Sequence, residues 1–166
     1  MLAGEIVGRL ARRHSTAVVL FHHVVAERLG LGPTDHKCLD LVRERGALAG
    51  SDLSAITGLT SGVITGVVAR LERAGYLRRE PDPRDGRKQI LRLALERSPI
   101  QDVIAPLRKD VAALLESFDI RQLTAIAEFL TRTTDLIYRH AALLRAETIS
   151  DVGRCRVTGR ERNRTK

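Results

Sequence analysis

The chain has 166 residues, 43% hydrophobic but only 3% aromatic, so its core is aliphatic and fits one domain, or one small module on an oligomerisation scaffold. A net charge of +8, from 28 Lys and Arg against 20 Asp and Glu, makes it a candidate polyanion binder. Cys38 and Cys155 lie too far apart for a disulfide framework or a cysteine metal motif, and no stretch approaches the roughly 20 apolar residues of a membrane span.

From Leu2 to Leu29 apolar residues recur at Ile6, Leu10, Ala17, Phe21, Val24, Val25 and Leu29, a helical stripe with Arg9, Arg12, Arg13, Glu27 and Arg28 largely off it. Glu5, Arg9, Arg12 and Arg13 break this stretch too early for a signal peptide, so a cytoplasmic protein is expected. Gly30-Leu31-Gly32-Pro33 ends the helix, with Pro33 placed at the first position of the next. That second helix, about 33–45, turns Cys38, Leu39, Leu41 and Val42 toward a core. A short third helix covers about 50–57. Gly58 allows a tight turn, and Thr60 can cap a fourth helix over 61–74. The pattern Leu53, Ile56, Leu59, Val63, Val67 and Leu71 packs these two helices across the turn as a helix-turn-helix.

Strands are expected at 76–80 and 89–95, joined by Pro81-Asp82-Pro83-Arg84-Asp85-Gly86-Arg87-Lys88, where two prolines forbid regular pairing and Asp85-Gly86 signals a turn. Ser98-Pro99 reads as a cap and first residue of a fifth helix carrying Val103, Ile104, Leu107, Val111, Leu114 and Leu115. Asp119 and Gln122, at capping-box spacing, open a sixth with Ile120, Leu123, Ile126, Phe129, Leu130, Leu136, Ile137, Leu143 and Leu144. After Ile149 the chain is Arg-rich, and residues 150–166 are expected to form a disordered tail. Residues 151–166 alone contribute +4 of the +8, so global charge is weak support for specific binding.

The stronger signal is local. The fourth helix would expose Thr60, Ser61, Gly62, Thr65, Gly66 and Arg70, small and hydroxyl residues that let a helix sit deep in a major groove. The hairpin adds six cations (Arg78, Arg79, Arg84, Arg87, Lys88 and Arg92) within residues 78–92, on a loop stiffened by Pro81 and Pro83. Arg87 at the turn exit suits the negative minor groove, with Asp85 holding it in place. A helical hairpin with a solvated turn is the plain alternative; the two features in succession favour DNA.

The long terminal helices carry more apolar surface than so small a central module covers, which suggests pairing with a second copy; a self-contained bundle is the alternative. Histidines 14, 22, 23, 36 and 140 show no metal spacing, since adjacent His22 and His23 point about 100 degrees apart on a helix. Cys38 reads as a buried small hydrophobe rather than a redox sensor. No nucleophile, base and orienting residue stand together and no phosphate-cradling glycine loop exists, so neither an enzyme nor a cofactor is expected.

The run LTSGVITGVVARLERAGYLRREPDPRDGRK, most closely in residues 70–88, resembles the MarR family of winged-helix transcription regulators. The likeness spans about residues 2–146. It implies a mainly α fold with a small β-wing: dimerisation helices at about 1–30 and 99–149 around a winged helix-turn-helix at about 33–97. It further implies a homodimer on a short palindromic operator in double-stranded DNA, a repressor by habit. By position Ser61, Gly62, Thr65 and Arg70 would lie on the recognition helix, after Thr60. Arg84, Asp85, Arg87 and Lys88 would form the wing tip, with Arg87 in the minor groove. An aromatic or phenolic effector is implied, in a pocket for which Phe21, His22, Val25, Cys38 and Leu41 are the candidate lining. Two departures stand out: the segment from Leu93 to Pro99 lacks the family's usual Leu-Thr, and no reactive Cys stands near the chain start, which disfavours peroxide sensing by that route. Two other functions remain open: a nonspecific architectural DNA binder using its basic tail, and a ligand- or protein-binding dimer with a vestigial DNA face.

Overall fold

The computed structural model describes residues 1–94 and 99–161, with side chains as far as residue 148. The chain runs α1 (Leu2–Glu5), a π-helical turn (Ile6–Leu10), α2 (Ala11–Arg28), α3 (Pro33–Arg45), β1 (Leu48–Ala49), α4 (Gly50–Thr57), α5 (Ser61–Arg73), β2 (Leu77–Pro81), β3 (Gln89–Leu93), α6 (Pro99–Leu115) and α7 (Ile120–Glu161). It divides into two compact units, Met1–Asp110 and Val111–Lys166. The expected first helix is thus three helical segments in succession.

The core of the first unit is aliphatic, as the composition requires. Leu39 and Val42 of α3, Leu53 of α4, Ile64, Val67, Val68 and Leu71 of α5, Leu77 of β2, Leu91 of β3 and Ile100 of α6 are all buried. The α5 set recurs at i, i+3, i+4 and i+7, one continuous stripe of a 3.6-residue helix. Burying each such side chain contributes about 1.5–3 kcal/mol before entropy is counted. Val63 is not part of this stripe: it is 46% exposed, and Ile64 takes the inward place that the sequence pattern assigned to it.

Local signals set the element ends. Pro33 stands at the start of α3. The Val63 N–H reaches the Thr60 hydroxyl oxygen at 3.4 Å and caps α5. Gly58 turns out of α4 with φ of 75° and Gly75 leaves α5 with φ of 74°, left-handed conformations that cost a side-chain-bearing residue strain.

The sheet is antiparallel in the order β1-β3-β2. β1, which the sequence did not reveal, pairs Leu48 with Leu91 and Ala49 with Ile90. The hairpin pairs Leu77 with Leu93 through to Pro81 with Gln89. Pro81 is therefore inside the ladder rather than excluded from it. β2 is an edge strand, where the N–H that proline lacks need not face a partner. The expected extension of the second strand to residue 95 ends at Leu93; residues 95–98, including the proposed Ser98 cap, lie outside the described residues.

In the second unit α7 opens with the foreseen capping box. The Asp119 N–H donates to Gln122 Oε1 and the Gln122 N–H to Asp119 Oδ1, both at 2.9 Å. Phe129, Leu130, Leu136, Ile137, Leu143 and Leu144 of α7 are exposed. The helix is described as far as Glu161, and residues 162–166 of the expected tail lie outside the described residues.

Candidate nucleic-acid interface

A bend of 117° separates α4 from α5, within the range of DNA-reading helix-turn-helix units. The turn is tied down from within. Thr57 Oγ1 donates to the Leu53 carbonyl at 2.6 Å and accepts from the Leu59 N–H at 3.3 Å. Toward solvent α5 shows Ser61, Gly62, Val63, Thr65, Arg70 and Arg73, with its cap Thr60 ahead of them. Thr65 Oγ1 donates to the Ser61 carbonyl at 2.8 Å, which leaves its oxygen lone pairs as acceptors for a base amino group. Val63 was missed as a surface residue; an exposed methyl pair here suits a thymine methyl. The inward spacing of Ile64, Val67, Val68 and Leu71 carried the signal that would have found it.

Arg70 is placed differently from the other recognition-helix residues. Its Nε and Nη2 donate to Asp35 Oδ2 and Oδ1 at 2.8 and 2.7 Å, a bidentate fork across to α3. The Asp35 side chain is only 7% exposed, and the hydrogen bonds and charge of this carboxylate raise the Arg70 pKa. Arg70 thus positions α5 on α3, with two of its donors committed to the fold.

The wing divides its cations in the same way. Arg78 and Arg92 both clasp Glu80, at 2.6 and 3.0 Å, and Arg79 bridges to Glu72 of α5 at 3.1 Å. Three of the six therefore brace the hairpin. At the tip Arg84 and Arg87 are exposed and form no ion pair among the described residues, and Lys88 Nζ lies 3.7 Å from Asp85. Asp85 holds Arg87 by its backbone: the Arg87 N–H donates to Asp85 Oδ1 at 3.2 Å and the Lys88 N–H to the Asp85 carbonyl at 2.8 Å. Asp82 does the same for the Arg84 N–H at 2.8 Å. Two successive Asx turns shape the tip and leave both guanidinium groups facing water.

The candidate ligand residues fall on α2 and α3. Val25 and Cys38 are sealed, 2% and 0% exposed, so Phe21, His22 and Leu41 are the members with open surface. Burial, with the Asp35 charge beside it, pushes the Cys38 thiol pKa up, which suits a packing role. Two of the histidines come together in a way that the sequence did not reveal. His22 on α2 meets His36 on α3, their rings 5.2 Å apart, and Asp40 Oδ2 lies 3.7 Å from His22 Nδ1 and 3.3 Å from His36 Nδ1. Burial lowers both imidazole pKa values, helped at His22 by Lys37 and opposed at both by Asp40. Spacing along one helix could not show a cluster assembled from two.

A family model described as MarR family matches residues 29–88, the segment from the end of α2 to the wing tip. An uncharacterized HTH-type transcriptional regulator of Bacillus subtilis (strain 168), YcgE, is 36% identical over 130 residues, covering 78% of this chain and 84% of the relative. Among solved structures, the transcriptional regulator Tm0710 from Thermotoga maritima shares the fold with a TM-score of 0.57 at 23% identity, over 82% of this chain and 96% of that one. NadR, in complex with 4-hydroxyphenylacetate, aligns with a TM-score of 0.56 at 19% identity, over 76% and 91%.

Proposed function

The chain belongs to the MarR family of winged-helix transcription regulators, and on that premise we propose that it is a sequence-specific repressor. It acts in the cytoplasm as a homodimer on a palindromic operator and lets go when a small aromatic or phenolic ligand binds. The observation that carries the DNA-binding part is the division of labour among the cations. Arg70, Arg78, Arg79 and Arg92 are engaged within the fold, whereas Arg84 and Arg87 are held out on the hairpin tip, and α5 exposes Ser61, Gly62 and Thr65 after its cap Thr60. The helix reads base edges and the tip grips phosphate or enters the minor groove. The start of α5, with unpaired N–H groups and Ser61, suits a phosphate.

The dimer is supported by apolar surface that one chain leaves bare: Val18, Val19, Leu20 and Val24 on α2 and, separately, Phe129, Leu130, Leu136 and Ile137 on α7. The ligand is supported by the shared fold of NadR and by the half-open Phe21, His22 and Leu41. The comparisons favour a regulator over an architectural binder that works through its tail.

The test is operator footprinting on DNA flanking the chain's own gene, followed by fluorescence anisotropy with Arg87→Ala. That variant should lose roughly tenfold or more in affinity and flatten the salt dependence by about one phosphate contact, with circular dichroism unchanged. Unaltered affinity would remove the wing from the interface. Ser61→Ala or Thr65→Ala should alter which operator is preferred; equal weakening on every sequence would assign them to phosphate instead.

A further inference from the structure

We propose that His22 of α2, with His36 and Asp40 of α3, forms a binding site for a divalent transition cation of the zinc class, pinning the two helices together. His36 and Asp40 stand four residues apart and so share one face of α3, and α2 brings His22 against that face. Their ligand atoms all lie within 4.8 Å of one another. Bonds of 2.0–2.2 Å to a tetrahedral zinc ion put neighbouring ligand atoms about 3.4 Å apart. The distances from Asp40 Oδ2 to the two Nδ1 atoms, 3.3 and 3.7 Å, already bracket that edge.

The second, independent observation is His36 itself. It is 1% exposed, and among the described residues neither of its ring nitrogens has a hydrogen-bond partner; His22 Nδ1 is likewise buried and without a hydrogen bond among them. Buried polar groups normally find partners, and two imidazoles facing one carboxylate oxygen outside hydrogen-bonding geometry leave a place that a cation would complete.

The neighbouring charges have distinct parts. Arg43 Nη1 lies 3.7 Å from Asp40 Oδ1, the other carboxylate oxygen, and orients the ligand from outside. Lys37 Nζ sits 3.6 Å from Oδ2 and is 55% exposed on a flexible stem, so an entering cation displaces it into water. With His22 and Asp40 29% and 28% exposed, the site opens to solvent on one side, where water supplies the fourth ligand.

The test uses the tag-free full-length chain, stripped with a chelator, and Zn²⁺ as the probe. Isothermal titration should show one ion per chain, thermal unfolding should rise with added Zn²⁺, and Co²⁺ should give the intense visible absorption of a four-coordinate site. His22→Gln, at a position 29% exposed, should weaken binding at least about tenfold, as should Asp40→Asn, while His23→Gln should leave it unchanged. Circular dichroism confirms that each variant is folded. Absence of binding, or binding that survives both His22→Gln and Asp40→Asn, overturns the proposal.

Discussion

Gly62→Ala separates what α5 needs as a helix from what it needs as a reader of DNA. Gly62 is the second residue of α5, fully at the surface, and a Cβ added there meets nothing within 4 Å. Its φ is not positive, so alanine fits without strain. Glycine in a helix costs about 0.5–1 kcal/mol relative to alanine, mostly through the freedom of the unfolded chain. The variant should therefore be more stable by up to that amount, a rise of roughly 2–4 °C in the melting midpoint for a chain of this size. If α5 lies in the major groove, the same methyl stands between helix and DNA. A loss of close approach there should lower operator affinity roughly tenfold, or ~1.4 kcal/mol. Thermal melts and anisotropy titrations on one preparation read both quantities. A stabilised protein that binds its operator as tightly as before would refute the groove assignment. A destabilised protein would refute the helix-propensity reasoning.

Two further outcomes follow from burial. Leu71, 0% exposed at the centre of the first unit, cannot be truncated cheaply, and Leu71→Ala should cost about 2–5 kcal/mol in denaturant unfolding; a loss under 1 kcal/mol would mean that the core collapses around the gap. Cys38 is sealed at 0% exposure, so in a Cys155→Ser background the native chain should resist a thiol reagent until denaturant is added. Rapid reaction of the folded variant would show that α3 opens in solution.

Much of the fold was legible because its signals are local. Pro33, the Thr60 cap and the Asp119–Gln122 box act over one helical turn, and each places a helix start where the structure has it. β1 was hidden because two residues carry no periodicity; Leu48 and Ala49 become a strand only against β3. The role of Arg70 was hidden for a related reason. Its partner Asp35 lies 35 positions earlier, and nothing in either segment distinguishes a clamp from a DNA contact. The same holds for His22, His36 and Asp40, which belong to two helices. At the wing the residue types were readable but their division was not: which cations brace Glu80 and Glu72, and which stay free, depends on strand register.

Pro81 has a bearing on how many copies can crowd together safely. DNA concentrates bound proteins, and an open sheet edge invites strand-to-strand polymerisation between neighbours. In this sheet one edge is the two-residue β1, too short to template anything. The other is β2, which carries Arg78, Arg79 and Glu80 and closes on a residue with no N–H to offer. Both flanks are thereby blunted, so copies held close together find no open strand edge on which to seed a fibre.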